Sequence, residues 1–185
     1  HPLDPQLAPI IKRVIHTTAD FEYADSLFFS SGAVPAALAA LQAGATIVTD
    51  TNMAKAGISR AALAKLNCRV VCYMADADVA EKAGQLGKTR AAIAMEKAAG
   101  LEGSVIFAIG NAPTALIRLY ELAAEKRLAP ALIIGAPVGF VNVVQAKKLI
   151  MRLDAPLIVA RGRKGGSTVA AAIVNALLYM MTRGV

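Results

Sequence analysis

From about residue 46 this chain keeps one rhythm: five short apolar runs alternate with stretches of helix length. The runs are "ATIVTD", "RVVCYM", "SVIFAIGN", "PALIIGAP" and "APLIVARG". Each is nearly continuous in its apolar character, the pattern of a strand covered on both faces of a parallel sheet. Between them lie "ISRAALAKLN", "KTRAAIAMEKAAG", "PTALIRLYELAAEK" and "NVVQAKKLIMRL", with apolar residues three and four apart. Leu116, Leu119, Tyr120 and Ala123 would form one stripe facing the sheet. Two further helices, "DPQLAPIIKRVIHTT" and "GAVPAALAALQAG", precede the first strand, and one follows the last. The order predicts an α/β fold: a single-domain, doubly wound, mainly parallel sheet, Rossmann-like, with helices on both faces. No linker, repeat or low-complexity tract divides residues 1–185, so one domain is expected.

Composition narrows the function classes. Hydrophobic residues make up 56% of the chain, enough for a sizeable core. No apolar run reaches the roughly 18 residues of a membrane span. The nearest, "TVAAAIVNALLYMM", is interrupted by Asn175 and reads as a buried or subunit-facing helix. The net charge of +7 favours an acidic partner. With aromatics at 5% and no Trp, a base-stacking platform for nucleic acid is hard to build, so a small anionic ligand is the better reading. Cys68 and Cys72 fall in one strand-like run, "CRVVC", about 13 Å apart and too far for a disulfide within it. They read as thiols in a reducing cytoplasm. No secretory signal is visible, and the start at "HPLDP" reads as truncated or processed, so His1 carries no weight.

In such a sheet ligands gather at the carboxyl ends of the strands. Four loops leave those ends: "TDTNMAKAG", "IGNAPTA", "GAPVGFVN" and "RGRKGGS". They mix small and polar residues, and glycine before a helix lets backbone N–H groups meet an anion. "GNAP" reads equally as an ordinary helix start, with Asn111 capping and Pro113 in the first turn. "RGRKGGS" puts Arg161, Arg163 and Lys164 beside Gly165 and Gly166, like an anion cradle. Neither a Walker A loop nor GxGxxG is present, so nucleotide binding lacks its usual signature. A nucleophile elbow GxSxG is also absent, and the scattered acidic residues offer no metal site.

The remaining cluster is "VIHTTADFEYAD", residues 14–25. His16 there is either a solvated helix-end residue or a proton-transfer group, since imidazole gives and takes protons near neutrality. Asp20, one turn on, is placed to orient it, and Thr17 and Thr18 to hydrogen-bond a ligand.

Taken together, "RVIHTTADFEYAD", "VTDTNMAKAGI", "GKTRAAIAM", "AIGNAPTAL", "IGAPVGFVN" and "RGRKGGSTVAAAIVNAL" resemble the precorrin-8X methylmutase family of cobalamin biosynthesis, including its cobalt-precorrin-8 branch. The likeness runs from about residue 10 to the C-terminus. It implies an isomerase, an intramolecular methyl transferase that moves one methyl group on ring C from carbon eleven to carbon twelve. The product would be hydrogenobyrinate or cobyrinate. It also implies a homodimer and a catalytic histidine in the IHT motif, here His16. Such a rearrangement calls for no cofactor and no metal, only a held substrate and one proton-transfer group.

The substrate that the resemblance implies is a corrinoid tetrapyrrole with several carboxylate arms, which would account for a basic chain without nucleic acid or membrane as partner. Candidate substrate contacts are Thr17, Asn52, Thr89, Arg90, Asn111, Gly139, Arg163, Lys164, Gly165 and Ser167, with Arg161 a weaker one. The arginines suit bidentate pairing with carboxylates. The chain departs from the family at two places: a preceding helix with a Ser-Phe pair is missing, and Gln145 stands where an acidic residue is usual. A dimer is expected from the last helix, whose Val169, Ile173, Leu177, Leu178 and Met181 offer more apolar surface than one sheet face needs. A non-catalytic tetrapyrrole carrier with the same pocket is the rival reading.

Overall fold

The computed structural model describes residues 2–183, so His1 lies outside it. Before the expected first strand come α1 (Ala8–Thr18), α2 (Tyr23–Ser26), a short strand β1 (Leu27–Phe29) and α3 (Ala33–Gln42). Then follow β2 (Thr46–Thr49), α4 (Asn52–Gly57), α5 (Arg60–Lys65), β3 (Arg69–Cys72), α6 (Ala77–Leu86) and α7 (Arg90–Ala98). The second half alternates strictly: β4 (Val105–Ile109), α8 (Pro113–Ala124), β5 (Leu132–Gly135), α9 (Val143–Ile150), β6 (Leu157–Ala160) and α10 (Ser167–Thr182).

The six strands form one sheet in the order β1-β6-β5-β4-β2-β3, parallel throughout except for β1, which pairs antiparallel with β6. All five expected runs are strands, and the sheet is doubly wound as the rhythm predicts. Side chains alternate between two cores, as the twofold strand period demands. Ile47, Ile106, Ala108, Ile134 and Ile158 join α1, α3, α5 and α10 on one face. Val48, Phe107, Ile109, Ile133 and Val159 join α6, α7, α8 and α9 on the other.

Several local expectations are corrected. The edge strand β1 and helix α6 were not expected: the apolar run of β1 is only the three residues Leu27–Phe29, and α6 buries only Val79 and Ala83. The sheet-facing stripe of α8 is Ala115, Leu116, Leu119 and Leu122; Tyr120 and Ala123 are half-buried at its margins. Cys68 precedes β3 rather than lying in it, and both thiols are free.

The largest correction concerns α10. Val169, Ile173, Leu177 and Leu178 are all buried, because this helix is wrapped by α1, α3, α4 and α5 as well as resting on β4 and β5. Most of its apolar surplus closes the core of the single chain, and of the residues expected to face a partner only Met181 stays half-buried near the end of the helix. Asn175, the break in its run, accepts the Ser59 N–H at 2.8 Å and donates to the Gly57 carbonyl at 2.9 Å, tying α10 to the α4–α5 bend. No helix among the described residues is long and apolar enough to cross a membrane.

Candidate active site at the carboxyl edge of the sheet

In a sheet of this order the crevice opens where the winding reverses, here between β2 and β4. The protein fills that crevice itself. Asp50, 1% exposed at the end of β2, accepts the N–H of Gly110 at 2.8 Å, of Asn111 at 2.9 Å and of Ala112 at 2.6 Å. The start of α8 is thus capped by a carboxylate from a neighbouring strand. The cap residue is Ala112, and the expected capping by Asn111 does not occur; its side chain is exposed instead. Burial pushes the Asp50 carboxyl above the usual carboxylate range, and the three N–H donors pull the other way.

The next residue completes the seal. Thr51 caps α4 by accepting the Ala54 N–H at 3.0 Å, and its hydroxyl lies 2.7 Å from that of Ser167 at the start of α10. Gly110 makes this contact possible, since a Cβ there would sit 2.6 Å from the Ser167 Cα. Gly165 serves the same end: a Cβ would overlap the Ala136 carbonyl oxygen. Sequence reading singled out Asn52 from this loop and missed Asp50 and Thr51. The legible signal was an acidic residue at a strand end followed by a hydroxyl just ahead of a helix.

The cation loop is stitched down on the neighbouring side. Gly166 N–H donates to the Ala136 carbonyl at 2.7 Å and Gly139 N–H to the Arg163 carbonyl at 3.1 Å. Lys147, 1% exposed on α9, donates to the carbonyls of Gly162 and Lys164, both at 2.8 Å. Burial pushes its amine down to about 8. Lys147 was also missed, although its place in the α9 stripe, four after Val143 and three before Ile150, marks it as inward-facing.

The outward side chains of this loop differ in what they are free to do. Arg163 is exposed over the Phe140 ring, 5.7 Å from its centroid, with no carboxylate among the described residues paired to it. Lys164 is engaged: its amine lies 2.7 Å from Asp20 and 2.6 Å from Glu22, which raises its affinity for a proton. The Arg161 guanidinium is spent on the backbone carbonyls of Asp25 and Ser26. The N-terminus of α10 begins after Gly166 and carries no side-chain cap, leaving its first N–H groups without a side-chain partner.

His16 is exposed in the last turns of α1. It lines an open groove of about 800 Å³ with Lys12, Ile15, Ala19, Phe21 and Asp25. Asp20 does not orient it; that carboxylate is taken by Lys164 and by the Glu22 N–H, and the Lys164 amine holds it below the usual carboxylate range. Thr17 and Thr18 donate back to the Arg13 and Val14 carbonyls at 2.8 Å each, so neither hydroxyl proton points to a ligand. The Lys164 pairs nonetheless join the cation loop to the turn that follows His16.

Thr89 and Arg90 lie elsewhere. The Thr89 hydroxyl caps α7 through the Ala92 N–H and donates to Thr114 at 3.0 Å, beside a separate hollow of about 290 Å³; Arg90 is exposed next to it. Among the described residues no group of three or more His, Cys, Asp or Glu side chains could hold a metal ion.

The family model described as precorrin-8X methylmutase matches residues 1–180. Cobalt-precorrin-8 methylmutase of Priestia megaterium is 42% identical over 185 residues, covering 100% of this chain and 82% of that protein. Precorrin-8X methylmutase of Pseudomonas aeruginosa is 45% identical over 174 residues, covering 92% and 83% respectively. The crystal structure of precorrin-8X methylmutase from Thermus thermophilus superposes with a TM-score of 0.89 at 41% identity, covering 100% of this chain and 90% of that one. By family match, identity and fold alike, the chain belongs to the precorrin-8X methylmutases, isomerase enzymes of cobalamin biosynthesis.

Proposed function

We propose that this chain moves a methyl group from carbon eleven to carbon twelve of ring C on precorrin-8X or cobalt-precorrin-8, with His16 as the proton-transfer group. The observation that carries the reading is an exposed imidazole in a groove whose rim is tied by Lys164 to a loop of cations. The groove volume of about 800 Å³ falls within the range of small-molecule sites. The migrating bond breaks at one ring carbon as it forms at the next, so the protein must hold the reactive tautomer and conformation. His16 supplies or withdraws the proton that sets the tautomer. Arg163 and the uncapped start of α10 hold carboxylate arms, the arginine through a bidentate pair. Lys164 joins them by exchanging Asp20 or Glu22 for a substrate carboxylate. Thr17, Asn52, Thr89, Arg90 and Asn111 would reach substrate only at its periphery.

We also infer a homodimer, acting in the cytoplasm. Its ground is not α10 but the loop after β5, where Phe140 is 85% and Val141 78% exposed beside the cation loop. A monomeric mass by light scattering at micromolar concentration would overturn it. The reaction itself is tested by mixing the protein with metal-free and cobalt-bearing substrate and following corrin absorbance. Conversion of either supports the reading; tight binding without conversion would favour a carrier.

A further inference from the structure

We infer that Lys147 is a positioning residue for Arg163: its buried amine holds the peptide carbonyls on either side of that arginine and so presents the guanidinium from a fixed backbone. This rests on the reading that Arg163 meets a substrate carboxylate.

An ammonium taken out of water is costly unless its protons find partners. Lys147 sits on the buried face of α9 with Val143, Ala146 and Ile150, and no carboxylate among the described residues pairs with it. Its hydrogen bonds go to the Gly162 and Lys164 carbonyls alone, 2.8 Å each. The carbonyl between them, that of Arg163, accepts the Gly139 N–H at 3.1 Å. Three consecutive carbonyls are therefore each held by an N–H donor, while the Arg163 side chain is exposed over Phe140. A stretch with Gly162 before and Gly165 after would otherwise have wide backbone freedom. The amine's depressed proton affinity shows what this arrangement costs, and an apolar residue at 147 would fill the same space without that cost. The lysine is explained by what its two protons hold. A bidentate guanidinium contact depends on angle, so backbone freedom at Arg163 weakens it directly.

The test is a double-mutant cycle on substrate KM, with kcat and urea stability measured on every protein. Lys147→Met should raise KM about tenfold, more than it lowers kcat, yet add less than about twofold when Arg163 is already alanine. Lys148→Met, one residue on and exposed to solvent, is the control for charge alone. Lys147→Leu, which likewise carries no donor, is run in parallel and serves the same cycle if the methionine variant does not fold. Equal multiplication of KM in both backgrounds, or an unchanged KM in a folded variant, overturns the inference. If Arg163→Ala itself leaves KM unchanged, the carboxylate reading of Arg163 fails instead.

Discussion

Lys164 reaches Asp20 across 2.7 Å, and with this ion pair the loop after the last strand of the sheet grips the turn that follows the histidine helix. Two regions of the chain 144 residues apart thereby share one edge of the proposed site. Because Glu22 takes the same amine, Lys164 is no longer the simple substrate cation that the sequence suggests.

Lys164→Met should therefore raise KM less than Arg163→Ala does, because its charge is already answered within the protein. It should also lower kcat, by loosening the turn beside His16. The Asp20 pair contributes stability above the ordinary carboxylate value and loses it as pH falls through the depressed folded value. Steady-state kinetics on the two variants, at low and high salt, decides the order; a larger KM effect at Lys164 would restore it as a primary substrate contact.

His16→Ala should cut kcat by about two to four orders of magnitude, the usual contribution of general acid–base help. Its side chain is exposed in the groove, so urea stability should stay close to wild type. Near wild-type conversion by the folded variant would leave pocket shape alone to drive the rearrangement.

Asp50→Asn should lower stability by about 1–3 kcal/mol, the cost of a buried donor left without an acceptor. An amide has one oxygen, whereas the carboxylate uses one oxygen for Gly110 and the other for Asn111 and Ala112. Removing the buried charge offsets part of this loss, since burial already disfavours the ionised form. Equilibrium urea unfolding measures the balance, and a stability equal to or above wild type would show that charge burial outweighs the lost acceptor.

Lys147 predicts a rise in stability with pH. Its folded value of about 8 lies below the ordinary 10.5, so between the two the unfolded chain binds more protons and unfolding becomes harder as pH increases. Between pH 8 and 9 the gain is about 1 kcal/mol. Cys68, Tyr23, Lys97 and Lys164 shift upward and subtract stability as pH rises toward their ordinary values, Cys68 first and already in this window, but they do so alike in both proteins. The difference between wild type and Lys147→Met, read by urea unfolding at the two pH values, isolates the gain; a flat difference refutes a buried, readily discharged amine.

The strand rhythm and the mainly parallel sheet were legible in the sequence because each depends on local order: apolar runs of strand length and helical periods between them. The pairing of side chains across the sheet edge was not. Asp50 and the Gly110–Ala112 amides lie some 60 residues apart, and Lys147 finds its carbonyls 15 and 17 residues on, so only the packed strands show that these groups meet. The same holds for α10, whose apolar surplus looks like an interface in the sequence and is largely taken up inside the molecule by four helices. Residue type and spacing determine what a segment can form; which hydrogen-bonding and apolar groups remain available to a ligand or a partner is decided by the tertiary contacts that use up the others.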